Sequence, residues 1–261
     1  MALNTAQSKE PGRVSLPINS RKDTWWIKPL LVFLGLSTFG IYATWRAFED
    51  RYYWGPHTWG PYLSPFYSPL LPVFHIGHFA ISPALLILPF PLIFRLTCYY
   101  YRGAYYRAFF WDPPACAVGE PSVRKRYTGE SRFPFTIQNL HRFAFYIAAV
   151  FIAILAGDAI IAFDFNGHFG MGLGTLIMVV NVLLLSVYTF SCHSFRHLIG
   201  GALNCYSCGR SGKTRFRIWQ RISYANERHM LFAWLSLFTV GFTDLYIRLV
   251  SAGIIHDVRF F

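Results

Sequence analysis

Long apolar runs, separated by stretches rich in basic and aromatic residues, set the pattern of this chain. A helix needs roughly 20 mostly apolar residues to cross a bilayer. Five segments reach that length, at about 26–45, 70–94, 143–163, 170–191 and 230–252. The pattern predicts an all-α integral membrane protein: a five-helix bundle over residues 26–261 behind a polar arm over 1–25, with amphipathic segments between spans. No charged side chain occurs from Pro29 to Trp45, and none from Tyr52 to Phe94 apart from histidines. Asp158 interrupts the third segment, and Asp244 and Arg248 interrupt the fifth. Pro83, Pro89 and Pro91 predict a kink in the second, because proline removes a helical hydrogen bond.

Composition supports this reading. Hydrophobic residues make up 54% and charged residues 14%, against about 25% charged in soluble proteins. The first 28 residues are polar and basic, unlike a cleavable signal peptide. Lys and Arg then orient the bundle: five lie in the arm up to Lys28, eight between Arg95 and Arg142, and seven between Arg196 and Arg228. Only Arg46, Arg51, Arg248 and Arg259 of the 24 fall elsewhere. The positive-inside rule puts the three basic stretches, and with them the N-terminus, in the cytoplasm. The net charge of +12 is therefore topogenic, and nucleic acid is not an expected partner. Arg51 to Pro65 carries the Tyr and Trp of an outer interfacial belt. Tyr99 to Phe110 mixes aromatics with Arg102 and Arg107, as in a segment lying on the membrane surface or meeting a partner or quinone headgroup.

On this topology all five cysteines (Cys98, Cys116, Cys192, Cys205 and Cys208) fall at or beyond cytoplasmic helix ends, with His141, His193, His197 and His229. They are too few and scattered for a disulfide framework, and are expected as reduced thiols or metal ligands. If the fourth helix continues through Cys192-His193-Ser-Phe-Arg-His197, the two histidines share a face. A set of two Cys and two His describes a Rieske-type 2Fe–2S centre. The usual Rieske spacings are absent, so such a set would be assembled from separate segments. Cys205-Tyr-Ser-Cys208 is half a zinc-ribbon pattern without its second pair and is expected as loop chemistry. His75 and His78, at the other side, are either haem ligands or packing residues. Asp158 and Asp244 are costly in a bilayer. Arg248, one turn on, is the natural partner of Asp244, and a salt bridge between the third and fifth helices competes with a proton path or outer ligand pocket.

Several stretches together resemble the membrane-anchor subunit of succinate dehydrogenase (respiratory complex II). They are Arg95-Leu-Thr-Cys98-Tyr-Tyr-Tyr-Arg102, Ala104-Tyr-Tyr-Arg107, Pro113-Pro-Ala-Cys116-Ala, Asn139-Leu-His141-Arg142, Ser191-Cys192-His193-Ser-Phe-Arg196-His197, Gly200-Gly201 and Thr243-Asp244-Leu-Tyr-Ile-Arg248. The resemblance is to the haem-free class with one anchor chain and a Rieske-type 2Fe–2S centre, and it covers most of the chain from the second helix onward. It implies a multi-pass protein of the bacterial cytoplasmic membrane, partnered by flavoprotein and iron–sulfur subunits, in a complex that can form a higher oligomer. It also implies that Cys98, Cys116, His193 and His197 hold the cluster, with Cys192 and His141 in reserve. Tyr99, Tyr101, Arg102 and Trp219 are the expected quinone-side residues. A di-haem cytochrome b anchor of the same enzyme class is the nearest alternative, although the first helix offers no histidine. A di-iron hydroxylase would rest on His193 and His197, and a transporter on the intramembrane charges.

Overall fold

The structure is a computed structural model that describes residues 24–54, 60–72, 74–76, 79–111, 135–201 and 205–261. Cys116, His78 and most of the N-terminal arm lie outside these residues. Four helices are long and apolar enough to cross a bilayer: α1 (Ile27–Glu49), α5 (His141–Ile161, preceded by a 3₁₀ turn over Phe135–Leu140), α6 (Leu173–Phe190) and α9 (His229–Ser251). A bent helical pair adds a fifth crossing if it counts as one span. The outer faces of these helices expose Leu, Ile, Val and Phe, as befits elements whose solvent is lipid.

The second span differs from its expected course. Residues 70–94 do not form one helix. They begin instead with a hairpin of β1 (Phe74–Ile76) and β2 (Phe79–Ile81), in which Phe74 pairs with Ile81. Helix α2 (Pro83–Ile87) and α3 (Pro89–Thr97) follow. Pro83 does not kink an existing helix; it starts one, at the first helical position, with the Ser82 side chain accepting from the Ala84 amide at 3.3 Å. Residues 83–97 reach only roughly 22 Å at 1.5 Å per residue. The axis then turns through 84° into α4 (Tyr99–Tyr105) and a π-helical turn over Tyr106–Phe110.

Between α5 and α6 a small hairpin, β3 (Asp164–Phe165) and β4 (His168–Phe169), turns on Asn166 and Gly167, both at positive φ. An Asn-Gly pair suits that turn because it takes positive φ at both central positions. The basic stretch after α6 folds as a helical hairpin of α7 (His193–Gly200) and α8 (Gly209–Glu227). Helix α6 packs along α9, and α5 lies between α3 and α6.

At the end of the bundle away from the basic stretches, buried charges tie the elements together. Arg46 and Asp244 are wholly buried. Arg46 of α1 reaches Asp244 of α9 with Nε at 2.8 Å and Nη2 at 3.3 Å, and its Nη1 donates to Glu49 at 2.5 Å and to the Arg51 carbonyl at 2.9 Å. Tyr42 (2.5 Å) and Ser64 also donate to Asp244. The expected Asp244–Arg248 pair does not form. Asp244 faces the interior where α1 and the 60–68 loop meet α9, whereas Arg248 turns to Glu49 at 2.9 Å. Asp158 takes a hydrogen bond from Ser68 and has no ion-pair partner among the described residues. The network thus locks α1 to α9, not the third span to the fifth.

Breaking a wholly buried ion pair by removing one partner costs about 3–5 kcal/mol, because a charge is stranded, whereas Arg248 and Glu49, with side chains 18% and 15% exposed, leave the remaining charge within reach of water. Arg46→Ala is therefore expected to lower the thermal unfolding midpoint of the detergent-solubilised protein far more than Arg248→Ala. Equal shifts in the two variants would contradict this ranking.

Candidate functional site

The basic end of the bundle is built on interruptions in helices. Cys98 separates α3 from α4 in an extended conformation, with φ −62° and ψ 127°. Ser191 and Cys192 separate α6 from α7. Both breaks fall inside the packed core, so both cysteines are free thiols buried in one cluster with Phe94, Tyr101, Phe145 and Tyr188. Burial pushes the Cys192 thiol up to about 11, and its sulfur accepts from the Phe195 amide at 3.3 Å.

Two histidines open helices beside these thiols. His229, the first residue of α9, brings Nε2 to 3.5 Å from Cys98 Sγ and Nδ1 to 2.8 Å from Ser191 Oγ. The Ser191 hydroxyl donates to the Tyr188 carbonyl at 3.1 Å. A hydroxyl has one hydrogen, so the bond to Ser191 is donated by His229 Nδ1–H, and Nε2 faces Cys98. His141, the first residue of α5, repeats the arrangement. Its Nδ1 lies 2.9 Å from Thr97 Oγ1, whose hydrogen goes to the Ile93 carbonyl at 2.7 Å. Each imidazole is thus oriented by a hydroxyl at Nδ1, and histidine in its neutral form can ligate a metal or accept a proton through the remaining nitrogen.

Aromatic rings fill the space between them. His141 stacks on Phe94 (4.9 Å), Phe94 meets Tyr188 edge-on (5.6 Å), and Tyr188 stacks on His229 (5.0 Å). The Arg95 guanidinium lies over Tyr188 at 4.8 Å and bonds Tyr101 Oη at 2.8 Å. Among the described residues no three His, Cys, Asp or Glu side chains gather closely enough to hold one metal ion. The donors are of the right kind for a 2Fe–2S centre, thiol and imidazole without carboxylate. Tyr188 Oη is buried beside them, next to Cys98.

The residues expected from the sequence divide between this core and the surface. Cys98 and the reserves Cys192 and His141 lie in or against it. His193 and His197 are exposed on α7, side by side with ring centroids 4.6 Å apart. Partial burial, then His197 and Arg196, hold His193 below the usual imidazole range. Of the quinone-side residues, Tyr101 is buried and donates to the Ala233 carbonyl at 2.6 Å. Arg102 lies 4.2 Å over the exposed Tyr99 ring. Trp219 stands apart in the α7–α8 hairpin, under Arg196 at 4.6 Å. Cys205 and Cys208 form a disulfide, where reduced thiols were expected. His229 was visible in the sequence only as one of four histidines at basic helix ends; nothing local singled out its pairing with Cys98. An apolar cavity of about 370 Å³ opens between α1, α2, α3, α5 and α6, with Arg95 and Tyr188 among its few polar walls.

Comparisons with known proteins agree with this architecture. Residues 27–253 match the family described as actinobacterial succinate dehydrogenase subunit SdhC. A chain of the Mycobacterium smegmatis Sdh1 complex in the apo form is 47% identical, with a TM-score of 0.84, covering 97% of this chain and 98% of that one. No curated protein matches. The hydroxylase and transporter readings lose their support, for the matched family and this structure agree over nearly the whole length: this chain belongs to the actinobacterial SdhC family, the membrane subunits of succinate dehydrogenase.

Proposed function

We propose that this multi-pass inner-membrane subunit carries electrons from a cytoplasmic iron–sulfur subunit to membrane quinone, by way of a 2Fe–2S centre at the basic end of the bundle. The observation that carries the reading is the buried approach of Cys98 Sγ to His229 Nε2, with Ser191 fixing the far side of the imidazole. Cys192 and His141 are the further donors in the same core. Cys116, outside the described residues, and the exposed His193 and His197 make up the remainder of the set implied by the sequence. A centre with mixed Cys and His ligation, when bound, passes one electron at a time at a potential raised above that of all-Cys clusters.

The protein's own residues supply the rest. Thr97 and Ser191 orient the two imidazoles. Arg95 and Tyr188 put a cation and a hydroxyl in the wall of the apolar cavity, suited to a quinone carbonyl whose tail lies among Phe39, Phe66 and Leu155. Exposed Arg210, Lys213, Arg217 and Arg221 on α8 give the partner side a positive face, matched to an acidic surface on the iron–sulfur subunit, itself linked to the flavoprotein. The excess of Lys and Arg at this end supports its facing the cytoplasm, which makes five crossings of the chain.

Two double variants test the donor set. His141→Ala/His229→Ala is expected to abolish succinate:quinone turnover while sparing succinate oxidation by an artificial acceptor, and to remove the EPR signal of a His-ligated 2Fe–2S centre together with its iron. His193→Ala/His197→Ala reports separately on the exposed pair; loss of signal there alone would move the centre to α7. Sharp visible bands in reduced-minus-oxidised spectra would instead favour the di-haem reading. Docking has its own check. Arg217→Glu/Arg221→Glu should release the soluble subunits at lower salt than the parent complex, since screening weakens exposed charge pairing, and unchanged co-purification across a salt series counts against α8 as the contact.

A further inference from the structure

The Cys205–Cys208 disulfide has no part in the electron path described above. It closes a four-residue ring at the entry to α8, with Cα atoms 5.6 Å apart. Cys208 is exposed and occupies the N-cap of α8, and Gly209 follows at φ +83°, a conformation that a Cβ would disfavour. We propose that this pair is a reversible thiol–disulfide site, exchanged by cytoplasmic dithiols, that tightens or loosens the α7–α8 hairpin. The proposal rests on the reading that the basic end faces the cytoplasm. Disulfides in that compartment are mostly transient, catalytic or redox-sensing.

The surroundings suit exchange. A thiolate at a helix N-terminus is stabilised by the unpaired amides there, and Arg210 and Lys213 in the first turns add positive charge. Ser207 Oγ lies 3.4 Å from Cys205 Sγ and donates to it, since a disulfide sulfur bears no hydrogen. A dithiol of the thioredoxin class attacks the exposed Cys208 sulfur as its thiolate. The Sγ–Sγ bond breaks, and Cys205 leaves as a thiolate that Ser207 stabilises. The second thiol of the reductant then displaces Cys208. Two electrons and two protons have passed to the pair, and the reductant departs as its own disulfide.

The ring also holds the hairpin. Tyr206, between the two cysteines, donates from Oη to the Gly200 carbonyl of α7 at 3.1 Å and packs on Phe216 of α8 with ring centroids 5.0 Å apart. The fit is close on both sides. A Cβ on Gly212 would come within 2.9 Å of the Tyr206 carbonyl oxygen, and one on Gly200 within 2.4 Å of Trp219. Opening the ring frees the Tyr206 turn from the start of α8, the helix that presents the basic face.

The test uses the purified complex, equilibrated in mixtures of reduced and oxidised dithiothreitol. Free thiols are trapped by one alkylating reagent, disulfides are then reduced and trapped by a second, and the peptide spanning both cysteines is weighed. Complete and reversible interconversion in the folded complex, at ratios between those set by glutathione and by thioredoxin, is the expected result. So is faster amide exchange over residues 209–213 on reduction. In Cys205→Ser, Cys208 should remain alkylatable at every ratio. A pair that stays closed until the protein is denatured, or never closes, or opens without altering exchange in α8, overturns the proposal. Labelling of reduced Cys208 by an impermeant maleimide in inside-out vesicles supports the cytoplasmic reductant. Labelling only in right-side-out vesicles, with interconversion intact, overturns the orientation and the assigned reductant while leaving the pair redox-active.

Discussion

Hydrocarbon solvates neither a charge nor a free backbone group, and the architecture at both ends of this bundle follows from that. Arg46 is the extreme case, a guanidinium with no exposure at all. It is tolerable only because Asp244, Glu49 and the Arg51 carbonyl take up its donors, while Tyr42 and Ser64 complete the coordination of Asp244. Those partners come from α1, the 60–68 loop and α9, so satisfying one side chain fixes three elements. Helix α1 otherwise exposes much of its apolar length to lipid.

The same demand for partners shapes the basic end differently. Here the helices break, and each break delivers a thiol to the interior. The hydroxyls of Thr97 and Ser191, spent on helix carbonyls, double as acceptors for His141 and His229. Residues that look like ordinary helix-end polar groups thereby orient two imidazoles. The aromatic stack between them is buried with the two thiols, and a low local dielectric strengthens each polar contact it surrounds.

Helix α8 joins the two levels of the proposed function. Its apolar side, Phe216 and Trp219, packs on Tyr206 and α7, while Arg217 and Arg221 point to solvent. A disulfide at its first turn therefore bears on the face a soluble partner would meet, without touching the buried donors.

The membrane class, the approximate positions of four spans and the clustering of Cys and His at one level were legible along the chain, because run length and the Lys and Arg distribution are one-dimensional properties. Residue stretches such as Asn139-Leu-His141-Arg142 likewise carried the family. The second span was misjudged over 70–94 because apolar composition does not distinguish a strand hairpin from a helix, and Pro83 begins a helix as readily as it bends one. Partner choice was not legible at all. Asp244 lies four residues from Arg248 but pairs with Arg46, nearly two hundred positions away, and His229 meets Cys98 across 131. Such pairings depend on which helix faces turn inward together, and only the packed bundle decides that.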